Sequence, residues 1–168
     1  MSKKTRTITL SALFSALCVV SLYFASVFPT GQLGLAAAAS LFVAAAVAET
    51  GISSGVSVFI VSSALGMLLV PDRTAPLLYI MFFGYYPVVK RLVERIISKA
   101  LQWIVKLIVF NASLTLAFFV LKELFTAFTS RSRGVIIMYI AGSAVFALFD
   151  YGYSKVILFY TDRISRRR

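Results

Sequence analysis

Histidine is absent from this 168-residue chain, and cysteine occurs once, at Cys18. Disulfide frameworks, thiolate zinc sites, haem ligation and every catalytic arrangement built on an imidazole therefore lack their groups. Acidic residues are scarce as well. The chain has 6 Asp+Glu against 17 Lys+Arg, and only 14% of it is charged, where soluble domains run near a quarter. No Gly-x-x-x-x-Gly-Lys-Ser/Thr loop is present to cradle nucleotide phosphates. These shortages exclude a water-soluble domain and leave no expectation of an enzyme: Asp150 would stand alone where an intramembrane aspartyl protease needs two carboxylates.

What the chain has instead is apolar length. Hydrophobic residues make up 60% of it, and the mean hydropathy is +0.93. A spanning helix needs roughly 20 mostly apolar residues, so there is room for about six spans with short connections. The expected fold is all-α, a six-helix transmembrane bundle forming one membrane domain over residues 1–168. The expected spans are Ile8 to Phe28, Leu33 to Ala48, Ile52 to Val70, Pro76 to Val89, Ile104 to Leu121 and Gly134 to Tyr160. The first follows Lys3, Lys4 and Arg6 like a signal peptide, but at about 21 residues it outruns the apolar region of one and is expected to be retained. Pro29-Thr30-Gly31, Gly51 and Pro71-Asp72-Arg73 supply turns. Gly84-Tyr85-Tyr86-Pro87 should kink or end the fourth helix. Between the fourth and fifth spans, Leu92 to Trp103 alternates apolar and basic faces at helical spacing and is expected to lie along the headgroups or against a partner helix.

The basic residues divide unevenly. Lys3, Lys4, Arg6, Lys90, Arg91, Arg95, Lys99, Arg163, Arg166, Arg167 and Arg168 fall on one side, eleven in all, against Arg73, Lys122, Arg131 and Arg133 on the other. The excess places both termini in the cytoplasm of a multi-pass protein of the cell membrane. The net charge of +11 is then spent on an anionic bilayer surface rather than on nucleic acid.

Small residues at four-residue spacing let helices approach closely in lipid. Ala36, Ser40, Ala44 and Ala48, and Gly51 with Gly55, are expected to pack inside the bundle, whereas Ala12 and Ala16 lie near the inner end of the first helix, where a partner can reach them. With its basic N-terminus, six short-looped spans and Ala12-Leu13-Phe14-Ser15-Ala16, the chain resembles the substrate-binding S components of energy-coupling factor transporters. The resemblance implies a subunit without cofactors of its own that captures a vitamin or other micronutrient on the external side. Ala12 and Ala16 would dock on a transmembrane coupling subunit, itself attached to two ATPase subunits that hydrolyse ATP. Small-molecule contacts are expected from Gln32, Arg73, Tyr79, Tyr139 and Ser143 in the outer turns, the polar groups orienting the ligand and the tyrosines stacking on it. Lys122, Arg131 and Arg133 would suit an anion, although loop cations are more often simply solvated.

Ionisable groups within spans usually face the bundle interior. Asn111 and Asp150 fall at similar depth, and a hydrogen bond between them, aided by Lys106, is the expected intramembrane polar contact, with structural glue its commoner role. Lys155 can snorkel, and Cys18 is a small buried hydrophobe. The competing functional class is a scaffold without a ligand, resembling the small all-helical cell-shape factor of the rod complex, with the same small-residue faces binding proteins. Topology is the first testable consequence: green fluorescent protein fused to either terminus should fluoresce, and alkaline phosphatase fused there should be inactive.

Overall fold

The computed structural model describes residues 2–95, 98–120 and 132–165. The described residues are helical almost throughout: α1 (Lys3–Val27), a 3-10 turn (Pro29–Gly31), α2 (Gln32–Thr50), α3 (Ile52–Leu69), α4 (Thr74–Leu78), a π-helical turn (Tyr79–Phe83), α5 (Tyr86–Val93), α6 (Lys99–Val120) and α7 (Ser132–Ser165). With the interrupted stretch from α4 to α5 counted as one, this is an all-α fold of six helices. Among the described residues, four stretches are long and apolar enough to cross a bilayer: Lys4–Val27, Gln32–Thr50, Ile52–Leu69 and Lys99–Phe119. Their outward side chains are oily, with Leu68 82% and Leu148 of α7 74% exposed. A soluble protein rarely shows such continuous apolar surface, so the chain is a multi-pass membrane protein whose outer residues face lipid.

The small residues of α2 explain its central position. Ala36, Ala39, Val43 and Ala46 pack with Phe14, Cys18 and Leu22 of α1, Val58 of α3 and Tyr79. On another face, Ala44 joins Tyr86, Phe146 and Tyr153 in a second core. A helix hemmed in on several sides cannot carry large side chains and still let its neighbours approach. Gly51 ends α2 with φ 99°, a conformation that favours glycine, and so permits the abrupt turn into α3.

The fourth expected span is not one continuous α-helix. The amide of Gly84 donates to the carbonyl of Tyr79 at 2.7 Å, closing a wide turn of the π type. The chain bends at Gly84-Tyr85, and α5 restarts with Pro87 in its first turn, where a missing N–H is tolerated. The broken segment nevertheless runs the length of α2: Asp72, just before it, meets Gln32 at one end of α2, while Pro87, Lys90 and Glu94 share a cleft with Ala44, Val47 and Ala48 towards the other. The amphipathic segment expected at 92–103 is also divided. Leu92 and Val93 close α5, and Lys99 to Trp103 form the opening of α6. Ile96 and Ile97 are outside the described residues.

α6 and α7 are antiparallel, with Lys106 opposite Asp150, Phe110 stacked on Phe146 at 4.5 Å, and Thr115 bonded to Tyr139. Aromatic contacts tie this pair to the broken segment: Phe82 to Phe110, Phe83 to Phe149, and Tyr86 to Phe146. Arg6 near the start of α1 pairs with Glu49 at the end of α2, the end where Ile157 of α7 lines the cleft. The start of α1 and the last turns of α7 therefore share one face of the bundle.

Gly84 is required by close approach rather than by its dihedral angles. A Cβ there would sit 2.6 Å from the Phe59 ring and 2.8 Å from the ring of fully buried Tyr79. Gly84→Ala should lower stability by about 1–3 kcal/mol, the usual cost of overpacking. Gly34→Ala on the exposed side of α2, where a Cβ meets nothing within 4 Å, should be neutral or slightly stabilising. Thermal unfolding in mild detergent reads both.

Candidate functional site

Among the described residues two features carry polar chemistry, a buried charge cluster near the face that holds the N-terminus and a polar clamp at the opposite end, and the exposed alanines of α1 form a third, apolar feature. The cluster is built by three helices. Tyr86, Lys90 and Glu94 recur every four residues along α5 and its end, Lys106 lies two turns into α6, and Asp150 and Ser154 lie one turn apart on α7. Asp150 is 3% exposed, Lys90 4% and Lys106 6%.

Asp150 accepts from four donated hydrogen bonds and lies at the centre. Lys90 and Tyr86 donate to one oxygen of its carboxylate, and Lys106 reaches both oxygens, at 3.0 and 3.3 Å. Lys90 also donates to Ser154 at 2.7 Å and lies 3.3 Å from Glu94, which is 4.0 Å from Lys106. Two ammonium groups thus share two carboxylates, and the four formal charges cancel. Lys90 lies 5.9 Å from the centre of the Tyr86 ring and Lys106 5.8 Å from that of Trp103, which adds cation–π attraction where water is scarce. A buried ion is tolerated only when paired and fully hydrogen-bonded, and this arrangement meets that demand.

Asn111 does not join the cluster as expected. Its amide donates to the carbonyl of Leu107, one turn back in α6, at 2.8 Å. A lysine can satisfy a buried carboxylate with opposite charge, whereas a neutral amide one turn further along α6 offers less and finds an acceptor on its own helix. Lys90, counted from sequence among the rim cations, is a core residue. The missed signal is the four-residue spacing of Tyr86, Lys90 and Glu94, which places all three on one face of a helix.

At the opposite end, Gln32 donates to Asp72 at 2.7 Å, and the backbone amide of Thr74 donates to the other carboxylate oxygen at 3.0 Å. The Thr74 amide, the largest influence, holds the Asp72 carboxyl below its usual range. Arg73 is exposed beside this clamp. The structure thus brings Gln32 next to the turn that carries Arg73. Tyr79 is elsewhere: it is fully buried, bonded to Ser62 at 2.8 Å and close to Cys18 Sγ, so its ring meets protein on all sides. Tyr139 bonds Thr115 at 2.7 Å, and Ser143 is half-buried one turn further along α7. No contact among the described residues joins these two to Gln32 or Arg73. Lys122 and Arg131 are outside the described residues, as is the side chain of Arg133.

The stripes of small residues divide with one departure from expectation: Ala48, expected inside the bundle, is exposed near the end of α2 and lines the cleft beside α5, and Gly51 is half-buried. Ala36, Ser40, Ala44 and Gly55 are buried, and a Cβ on Gly55 would collide with Val47. Ala12 and Ala16 are exposed, while Phe14, Ser15, Cys18 and Leu22 turn the other side of α1 into the bundle. Comparison with protein families, curated proteins and solved structures finds no match.

The charge cluster has a direct test. Asp150→Asn leaves two buried ammonium groups with only the half-exposed Glu94, and should cost about 3–5 kcal/mol. Replacing the group together, as Lys90→Met, Lys106→Met and Asp150→Leu, should recover most of that loss, because no unpaired charge remains buried. Thermal unfolding of the three forms, wild type, single and triple variant, separates ionic pairing from simple volume effects.

Proposed function

We propose that this chain is a membrane-embedded binding subunit for uptake of a vitamin or other small organic micronutrient, docking through α1 on an ATP-driven coupling module. The observation that carries the reading is the exposure of Ala12 and Ala16 on α1, while Ala36, Ser40 and Ala44 of α2 and Gly55 of α3 are buried in the bundle. A surface of small side chains admits a second helix at short distance, and in lipid that packing is a main source of association. The face holding the start of α1 is taken as cytoplasmic from its excess of lysine and arginine. The partners are a transmembrane coupling subunit and two ATPase subunits; this chain performs no chemistry of its own.

The ligand enters from the opposite face. Arg73 beside the Gln32–Asp72 clamp offers a donor fork to a polar group, and Tyr139 and Ser143 offer hydroxyls from α7. Capture closes the outer turns, and the coupling module then reorients the loaded subunit at the expense of ATP.

Ala12→Trp with Ala16→Trp should abolish co-purification with the coupling module and reduce uptake of the ligand by at least about tenfold, a loss of roughly 1.4 kcal/mol or more in the association. Because both residues are exposed, the unfolding temperature should hold. Unchanged assembly and uptake would sink the docking role. A thermal-shift screen against vitamins and their precursors supplies the ligand arm: a compound that binds the folded state raises its stability, and a scaffold protein would show no such compound.

A further inference from the structure

The cleft between α2, α5 and α7 is not required by the uptake reading and lies on the face opposite its ligand entry. Its walls are Ala44, Val47, Ala48, Pro87 and Ile157, and its polar groups are Lys90, Arg91 and Glu94. Its volume is about 120 Å³. Sites for drug-sized molecules run at roughly 300–1,000 Å³, so a vitamin does not fit. One water needs about 10–15 Å³, which leaves room here for a group of several heavy atoms.

The charges state what that group should be. Lys90 and Lys106 are balanced by Asp150 and Glu94, and Glu94 is held by Lys90. Arg91 is the cation left over at the cleft: it is exposed and has no ion pair among the described residues. One surplus positive charge, five guanidinium donors and an apolar wall match a lipid headgroup whose one charge is that of its phosphodiester, with no ammonium group to cancel it. Basic recesses between membrane helices are favourable sites for anionic headgroups.

We propose that this cleft binds the phosphate of an anionic phospholipid, with Arg91 as the principal contact and Lys90 lining the floor. The site does not depend on the transport reading, and its test uses neither uptake nor the coupling module. The full chain is placed in nanodiscs of phosphatidylcholine with and without phosphatidylglycerol, and in detergent with inorganic phosphate. Unfolding temperature and lipid retained in native mass spectrometry are read. Phosphatidylglycerol should raise the unfolding temperature and remain bound, phosphatidylcholine should not, and Arg91→Gln should weaken retention roughly tenfold, as loss of a charge-assisted contact does. Arg95→Gln, a neighbouring exposed cation outside the cleft, should behave as wild type. Equal retention of both lipids, or an Arg91→Gln protein indistinguishable from wild type, overturns the site. If inorganic phosphate reproduces the whole shift, the lipid assignment is overturned.

Discussion

The carboxylate of Asp150, with Glu94 beside it, holds two lysines inside a protein that otherwise presents oil to its surroundings. Lys90 comes from the broken fourth segment and Lys106 from α6, while Asp150 belongs to α7, so the ion pairs join three helices at one point. In water such pairs are worth little. In lipid, where the separated charges have nothing to solvate them, the cost of parting them is high, and that cost keeps the helices in register. The aromatic contacts of Phe82, Phe83, Tyr86, Phe110 and Phe146 add edge-to-face and stacked packing to the same junction. Charge provides the alignment, and the rings fill the space around it.

The rest of the bundle is organised by size. α2 is central because its alanines and Ser40 allow α1, α3 and α7 to come close, and the carbonyl of Ser40 accepts a bond from Tyr153 of α7 at 3.0 Å. Cys18 of α1 reaches the carbonyl of Ala39 in the same way. These bonds to main-chain oxygens are possible only where the acceptor helix lacks bulky side chains. The two cores lie on different sides of α2, which therefore serves as a shared wall. α1 uses one side for that wall and leaves Ala12 and Ala16 on the other.

Long apolar runs made most of the architecture legible. The first three spans and the fifth follow from hydropathy and their punctuating glycines and prolines, because lipid requires about the same length of every crossing helix. The burial of Ala36, Ser40, Ala44 and Gly55 and the exposure of Ala12 and Ala16 agree with spacing and position, but Ala48 in the same stripe is exposed, because four-residue spacing continues past the point where neighbouring helices cover α2. The fourth segment resisted. Pro87 pointed to a bend, but the π turn depends on how Gly84 meets Phe59 and Tyr79, contacts that arise only in three dimensions. Lys90 reads from sequence as a rim cation because it stands beside Arg91 in a basic run. Asp150, sixty residues later, decides which of the two is internal. Asn111 departs from expectation for a related reason: depth along a helix locates a residue, but not the side to which it turns.

The wide turn at Tyr79–Phe83 has a geometric consequence for everything after it. An α-helix advances about 100° per residue, following from 3.6 residues per turn, and a π turn accommodates one residue more. That extra residue swivels the remainder of the segment relative to a regular helix. Together with the bend at Gly84-Tyr85, it sets the direction from which Tyr86 and Lys90 reach Asp150 of α7. A backbone irregularity ahead of the glycine thus acts as an angular offset, dialling a cation that sequence places on the rim into the heart of the protein.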